Sequence, residues 1–180
     1  MPKNVHHHVV TLVVCGLLTA LGVVLGGLLS IPAVPFGSYT LKIGFGVLPV
    51  ILAGVLFGPA YGGIVGALTD LIQALLFPKG AYMPWFTVVG IFFGLVPGLF
   101  FMKKQKPTFL RLLAAVAAGQ IFGSVILNTL LLVKLYGSPW QLIWVRLANQ
   151  AIMIPLYTVL LYVICKLLAR HKMLDKLGRM

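Results

Sequence analysis

Polar side chains inside long apolar stretches are the residues of this 180-residue chain that are best placed to do chemistry. They are Asp70, Gln73, Gln120, Asn128, Arg146, Asn149 and Gln150. The i,i+3 and i,i+4 spacings put Asp70 with Gln73 on one helical face, and Arg146 with Asn149 and Gln150 on another. Because polar groups are costly in lipid, each of them is a candidate for function. Carboxylate, guanidinium and amide groups at such spacings suit hydrogen bonding to a ligand.

The depths of these residues agree with one another. At 1.5 Å rise per residue, Asp70 lies roughly 10 Å from the end of its helix near Phe77, and Arg146 lies roughly 9 Å from Trp140. Asn128 lies at a similar depth of roughly 9 Å. Three helices therefore place polar groups at one level, which predicts a polar pocket between them. The alternative is that Asp70 and Arg146 are buried counter-ions of each other and the amides only join helices.

The sequence contains no catalytic motif. It has no Gly-Lys dipeptide and therefore no Walker A loop, and its only carboxylate side chains, Asp70 and Asp175, are far apart along the chain. Three adjacent histidines at residues 6–8 lack other ligand types nearby, and Cys15 and Cys165 both lie in apolar stretches. We therefore expect a protein that is not an enzyme and has no metal and no cofactor.

The elements that must position the polar residues are membrane helices. Hydrophobic residues make up 61% of the chain and charged residues only 9%, with a mean hydropathy of +1.08, which excludes disorder and a soluble domain. Charge-free stretches exceed the about 20 residues that a bilayer span needs. The predicted helices are 9–30, 41–57, 59–77, 84–102, 108–134 and 140–169. We expect an all-α integral membrane protein, with residues 1–180 forming one domain of six transmembrane helices in a compact bundle.

The net charge of +12 is explained by membrane topology and not by nucleic acid. Most Lys and Arg residues lie in short segments that flank apolar spans, at the N-terminus, around 103–111 and in the C-terminal tail. This distribution follows the positive-inside rule and predicts that both termini are cytoplasmic. The outer connectors are then 31–40, 78–83 and 135–139, and the polar pocket opens outward. Their aromatic residues suit either an interfacial belt or a cover over the pocket.

Glycines recur with helical spacing. They are Gly54, Gly58, Gly62 and Gly66, then Gly90, Gly94 and Gly98, then Gly119 and Gly123. Small residues four apart let helix backbones approach closely in lipid, so we expect the second to fifth helices to form a compact bundle. The first helix carries Gly16-x-x-x-Ala20 and Gly22-x-x-x-Gly26, and this small-residue surface faces either the bundle or another subunit.

Several motifs resemble those of one family of membrane proteins. They are Phe36-Gly-Ser-Tyr-Thr-Leu-Lys-Ile-Gly-Phe-Gly-Val-Leu-Pro49, Leu52-Ala-Gly-Val-Leu-Phe-Gly-Pro-Ala-Tyr-Gly-Gly63 and Gly66-Ala-Leu-Thr-Asp70. With these, essentially the whole chain resembles the substrate-binding S components of energy-coupling factor (ECF) vitamin transporters. Further motifs resemble the folate-specific S components, namely Leu75-Leu-Phe-Pro-Lys-Gly-Ala-Tyr82, Leu127-Asn-Thr-Leu-Leu131, Arg146-x-x-x-Gln150 and Met153-Ile-Pro155.

This resemblance implies partners and a location. A T component and two ABC-type ATPases would supply energy, while this chain captures the vitamin outside the plasma membrane of a prokaryotic cell and reorients to release it inside. In such S components a small-x-x-x-small motif of the first helix docks on the T component. Gly16 and Ala20 match that motif, with Gly in place of the commoner Ala at the first position.

The chemistry of folate fits the polar residues. A carboxylate and amides can hydrogen-bond the edge of the pterin ring, which we assign to Asp70, Gln73 and Asn128, with Asn149 and Gln150 as further ligand-binding residues. For stacking or for a lid we expect Phe36, Tyr82 and Trp85. Arg146 can bind the glutamyl carboxylates bidentately, with Lys79 as a loop cation and Lys42 as a weaker candidate.

Two alternatives of different kinds remain at this point. One is an S component for riboflavin, pantothenate or a queuosine precursor, which a panel of ligands would distinguish. The other is a structural membrane protein in which Asp70 and Arg146 form a simple ion pair. Removing both charges would leave such a protein intact but would abolish binding in a vitamin carrier.

Overall fold

The computed structural model describes residues 3–28, 31–36, 39–77, 83–102 and 107–170. Its helices and strands are α1 (Lys3–Gly27), β1 (Ile31–Phe36), β2 (Tyr39–Ile43), α2 (Val47–Phe57), α3 (Pro59–Leu76), α4 (Pro84–Leu99), α5 (Phe109–Gln120), α6 (Asn128–Tyr136) and α7 (Leu142–Arg170). A π-helical segment, Ile121–Leu127, joins α5 to α6 without interruption. The described residues thus form six continuous helices, which confirms the helical fold predicted from the sequence.

Four of these helices are long and apolar enough, by length and composition, to cross a membrane. The spans are His8–Gly27, Pro59–Leu76, Phe109–Leu135 and Ile143–Arg170. Only 28–33% of the most apolar stretch of each span is buried within the protein, so apolar side chains such as Leu17, which is 66% exposed, face outward. An exposed apolar surface of this extent suits contact with lipid and not with water.

Helix α2 lies in the interior of the bundle. It has 11 residues, so at 1.5 Å per residue it is about 16 Å long and shorter than the bilayer core. Its residues from Leu48 to Leu56 are all buried, and it packs against α1, α3 and α4. Because its neighbours cover it on all sides, α2 needs no polar face, which explains its continuous apolar sequence.

The connector before α2 differs from the prediction of a helix over residues 41–57. Strand β2 pairs antiparallel with β1 from Ile31–Ile43 to Phe36–Tyr39, with an irregularity between Pro32 and Val34, and α2 starts only at Val47. Gly44 and Gly46 separate the strand from the helix, and glycine disfavours helix continuation. The predicted outer loop therefore contains a hairpin, and the second helix is shorter than predicted.

A tight turn at Gly58 joins α2 to α3. Gly58 has a φ of +95°, a backbone conformation that residues with a Cβ rarely adopt, and Pro59 occupies the first turn of α3, where its fixed φ suits the start of a helix. The single residue left between the predicted helices 41–57 and 59–77 is thus a tight turn. It makes α2 and α3 neighbours in the bundle.

Glycine contacts hold α2, α3 and α4 together. A Cβ built on Gly62 would lie 2.5 Å from the carbonyl oxygen of Gly94, and one on Gly66 or Gly54 would clash with the backbone of α4 at Gly90 or Gly94. Glycine is required here because the backbones are in contact. A glycine also permits close packing of α5 on α4, because a Cβ on Gly119 would lie 2.9 Å from Cγ of Pro97. The predicted close packing of the second to fifth helices is confirmed.

The two small-residue motifs of α1 face different surroundings. A Cβ on Gly22 would lie 3.0 Å from Cγ2 of Thr69 on α3, and one on Gly26 would clash with the side chain of Gln73, so this motif faces the bundle. Gly16 has nothing within 4 Å of such a Cβ, and Gly16 and Ala20 are both exposed. The structure thus resolves what the sequence left open, since Gly22 and Gly26 pack inside while Gly16 and Ala20 face outward.

Candidate binding cavity

Six of the sequence-predicted site residues line one cavity between the helices. They are Asp70 and Gln73 of α3, Asn128 of α6, and Arg146, Asn149 and Gln150 of α7. Gln120, at the end of α5, lines the same space. The cavity has a volume of about 460 Å³, within the range of pockets that hold drug-sized molecules. The polar residues that helix depth predicted to lie at one level therefore line the same cavity.

The acidic side of the cavity is built by α3 and α4. Thr87 of α4 donates a 2.8 Å hydrogen bond from Oγ1 to Oδ2 of Asp70. The helices lie close together at this level, because a Cβ on Gly90 would lie 3.2 Å from the Cβ of Asp70. The carboxylate therefore has one oxygen bound to the neighbouring helix.

Gln73 lies one turn beyond Asp70 on α3. Its Nε2 atom donates a 3.1 Å hydrogen bond to the backbone carbonyl of Gly22, so it links α3 to α1. Gly26, one turn along α1, leaves the space that the Gln73 amide occupies. Part of the hydrogen-bonding capacity of Gln73 is thus used to join two helices at the edge of the cavity.

The basic side of the cavity is built by α7 and the π-helical segment. Arg146 donates from Nη1 to the backbone carbonyl of Ser124 at 3.0 Å, and Gln150 donates from Nε2 to Oγ of Ser124 at 2.9 Å. Among the described residues, Arg146 Nε and Gln150 Oε1 are buried and have no hydrogen-bond partner. Ser124 thus fixes Arg146 and Gln150, and each of these side chains retains a buried polar atom that can bind a ligand.

Asp70 and Arg146 are the charged residues that line the cavity within the described ranges. No ion pair joins these two described side chains; Asp70 accepts from Thr87, and Arg146 donates to the Ser124 carbonyl. The counter-ion alternative raised by the sequence requires such a pair and is not supported. A cavity with separated opposite charges suits a ligand that carries hydrogen-bond donors at one place and negative charge at another.

The aromatic lining differs from the residues named from the sequence. Trp85 is 58% exposed and is not part of the lining, whereas its neighbour Phe86 lines the cavity together with Phe93 and Tyr157. Phe86 and Phe93 are seven residues apart on α4, with Val89 between them on the same face, so helical periodicity was the signal that could have found them. Tyr157 donates a hydrogen bond from its hydroxyl to the backbone carbonyl of Gly44, which joins α7 to the end of the hairpin.

Four of the named residues cannot be placed against the cavity. Lys79 and Tyr82, and the side chains of Phe36 and Lys42, lie outside the described residues. Over the ranges that the structure does describe, no group of three or more His, Cys, Asp or Glu side chains is arranged to hold a metal ion.

Ser124 is one of three polar lining residues that sequence reasoning missed, the others being Thr69 and Tyr157. Ser124 lies four residues after Gln120 and four before Asn128, and all three line the cavity. Their spacing places them along one face of the continuous helix, and that spacing was the available signal. A serine in an apolar helix attracts less attention than an amide because it often bonds to its own helix backbone.

Comparison with known proteins identifies a family. The sequence model for "ECF transporter, substrate-specific component" matches residues 10–165. The protein of Clostridium novyi (strain NT) named "Folate transporter FolT" is 36% identical over 140 residues, which cover 77% of this chain and 81% of that protein. The protein of the same name from Streptococcus mutans is 31% identical over 142 residues, which cover 76% of this chain and 73% of that protein.

Two solved structures share the fold. The structure described as "Crystal structure of FolT bound with folic acid" superposes with a TM-score of 0.72 and 30% identity, covering 86% of this chain and 92% of the other. The structure described as "Structure and mechanism of the S component of a bacterial ECF transporter" gives a TM-score of 0.70 and 25% identity, covering 89% and 96%. The range matched by the family model, residues 10–165, contains all the described residues that line the cavity.

Proposed function

The chain belongs to the family of substrate-specific (S) components of ECF transporters, and we propose that it binds folate in the cavity described above for uptake by its partner subunits. The observation that carries the proposal is the pair of unpaired opposite charges in the cavity, Asp70 and Arg146, each fixed by a neighbouring helix. Relatives named as folate transporters, and a similar protein solved with folic acid, support this choice of vitamin.

We assign the donor-rich edge of the pterin ring to the acidic side of the cavity. Asp70 offers a carboxylate, and Gln73 and Asn128 offer amides, which together can accept from and donate to the amino, ring nitrogen and carbonyl groups of that edge. The flat face of the ring suits contact with Phe86 or Phe93. Phe36 and Tyr82 remain proposed as stacking or lid residues. Trp85, near the start of α4 and outside the cavity lining, remains proposed for a lid only.

We assign the glutamyl carboxylates of folate to the basic side. Arg146 can form two parallel hydrogen bonds to a carboxylate, a geometry that Lys cannot reproduce. Asn149 and Gln150 lie on the same helix and line the same space. Lys79 is proposed as a second cation from the connector between α3 and α4, and Lys42 as a weaker one.

The remaining parts of the proposal concern energy and place. The whole chain, residues 1–180, acts as one S-component domain in the plasma membrane of a prokaryotic cell, with both termini cytoplasmic. It catalyses no reaction and uses no cofactor of its own, and a T component with two ABC-type ATPases supplies the energy for uptake. Gly16 and Ala20, on the outward face of α1, form the proposed contact with the T component.

Titration calorimetry of the purified chain in detergent tests the ligand. We expect saturable binding of folic acid and of 5-formyltetrahydrofolate, with no binding of riboflavin or thiamine. Binding of another vitamin in place of the folates would retain the S-component assignment and reject folate. A folded protein that binds none of the four compounds would reject both the ligand and the proposed role of the cavity.

A further inference from the structure

Thr87 contacts a proposed ligand-binding residue, Asp70, without lining the cavity itself. It lies in the first half of α4 and is not part of the cavity lining, whereas its partner Asp70 is. Its Oγ1 donates to Oδ2 of Asp70 at 2.8 Å, which is an ordinary length for a hydroxyl donating to a carboxylate. Asp70 has no other hydrogen bond or ion pair to a described residue.

This contact restricts how the carboxylate is presented. Without it, the Asp70 side chain has several rotamers and either oxygen can face the cavity. With Oδ2 bound to α4, the plane of the carboxylate is fixed, and Oδ1 together with the remaining acceptor site of Oδ2 is available to adjacent donors of a ligand. Helices α3 and α4 pack closely at Gly66 and Gly90, where a Cβ on either glycine would meet the opposite helix. This packing keeps Asp70 and Thr87 within hydrogen-bond distance.

We infer that Thr87 is a positioning residue for ligand recognition, and that its hydroxyl orients Asp70 toward the ring edge of the bound molecule. The inference rests on the proposed function. An oriented carboxylate favours an edge with adjacent N–H donors, such as the 2-amino group and N3–H of folic acid. It discriminates against an edge in which one of those donors is replaced by an acceptor, because a buried polar atom is then left without a partner.

Two variants remove the hydroxyl and one retains it. Thr87→Val keeps the branched shape and loses the donor, Thr87→Ala loses the donor with less bulk in case valine does not fit, and Thr87→Ser keeps the donor. The matched control is Thr19→Val on α1. Thr19 is 5% exposed and donates from Oγ1 to the Cys15 carbonyl of its own helix at 2.9 Å, away from the cavity.

The affinity for folic acid is measured by calorimetry, together with that for its 4-amino analogue, aminopterin, in which N3 carries no hydrogen in the neutral ring. We expect Thr87→Val and Thr87→Ala to weaken folic acid binding by about tenfold, the size expected from a hydrogen bond to a charged group. We also expect them to change the folic acid to aminopterin affinity ratio, whereas Thr87→Ser and Thr19→Val keep both quantities near those of the unsubstituted protein.

The ratio separates positioning from general loosening of the helices, since loosening weakens both ligands alike. Unchanged folic acid affinity in Thr87→Val and Thr87→Ala would overturn the inference. An unchanged ratio, or the same losses in Thr19→Val or Thr87→Ser, would overturn it too. These failures are distinct from failure of the proposed function, which would appear as no folate binding by the unsubstituted protein.

Discussion

Arg146 of α7 donates a 3.0 Å hydrogen bond from Nη1 to the backbone carbonyl oxygen of Ser124, in the middle of the π-helical segment. In an α-helix interior that carbonyl would accept from the N–H four residues on. The wider winding of a π segment changes this pairing, and such segments are frequent at functional sites. The π-helical winding thus leaves the Ser124 carbonyl oxygen available to bind the guanidinium of Arg146 on α7.

Ser124→Ala tests the contribution of the serine hydroxyl. The substitution removes the acceptor of the Gln150 Nε2 hydrogen bond and leaves the backbone carbonyl that binds Arg146. We expect folic acid affinity to fall by about 2- to 10-fold, since such a bond contributes about 0.5–1.5 kcal/mol. Thr158→Val is a control, because Thr158 bonds within its own helix. Equal effects of the two substitutions in calorimetry would contradict the assignment.

Arg146→Gln tests the assignment of the glutamyl carboxylates. Hydrogen bonds to charged groups contribute about 1.5–3 kcal/mol, so folic acid affinity should fall by about 10- to 100-fold. Neutral pterin, which has no carboxylate, should lose much less. Arg146→Lys should be intermediate because it keeps the charge without the bidentate geometry. The affinity for pterin is measured by competition with folic acid. The same loss for both ligands would show that Arg146 stabilises the fold and does not bind the carboxylates.

Gly94→Ala tests the contact of α4 with α3. A Cβ on Gly94 would clash with the carbonyl group of Gly62, and neither backbone can move without separating the helices. We expect the free energy of unfolding to fall by about 1–3 kcal/mol, as for an overpacked core. The control is Gly16→Ala, where the new methyl group meets nothing within 4 Å. Thermal unfolding in detergent measures both, and equal midpoints would refute the role of this glycine contact.

The sequence was most informative at positions where a charged side chain in a membrane span carries a high free-energy cost. Asp70 and Arg146 could be identified because charge in a membrane span is rare, and helix rise then placed them at one level with Asn128. The spacing of Ser124 from Gln120 and Asn128 could have identified it as a lining residue, but its hydrogen bonds to α7 could not be predicted, because spacing along one helix does not give the position of the next. Lateral placement requires the packing of one helix on another, which depends on residues far apart in the chain.

The same limit explains the aromatic residues and the hairpin. Trp85 and Phe86 are adjacent in sequence and point to different sides of α4, so one residue of register decides which lines the cavity. The pairing of Ile31 with Ile43 joins two Pro- and Gly-flanked segments whose composition is typical of a loop. Composition identified the connector between the first two helices, and only the structure gives its strands.

Ala20→Leu tests the proposed docking surface of α1. Ala20 and Gly16 lie one turn apart on the exposed face of the helix and leave a smooth strip among larger side chains such as Leu17 and Leu21. A leucine side chain in that strip would keep a partner helix away, because small residues four apart are what permit close approach in lipid. We expect folate uptake by membranes containing the T component and both ATPases to be lost, while folic acid binding by the isolated chain is unchanged. Val24→Leu, at an exposed position of α1 that is already bulky, is the control and should transport normally. Normal uptake by Ala20→Leu would refute this surface as the contact with the T component.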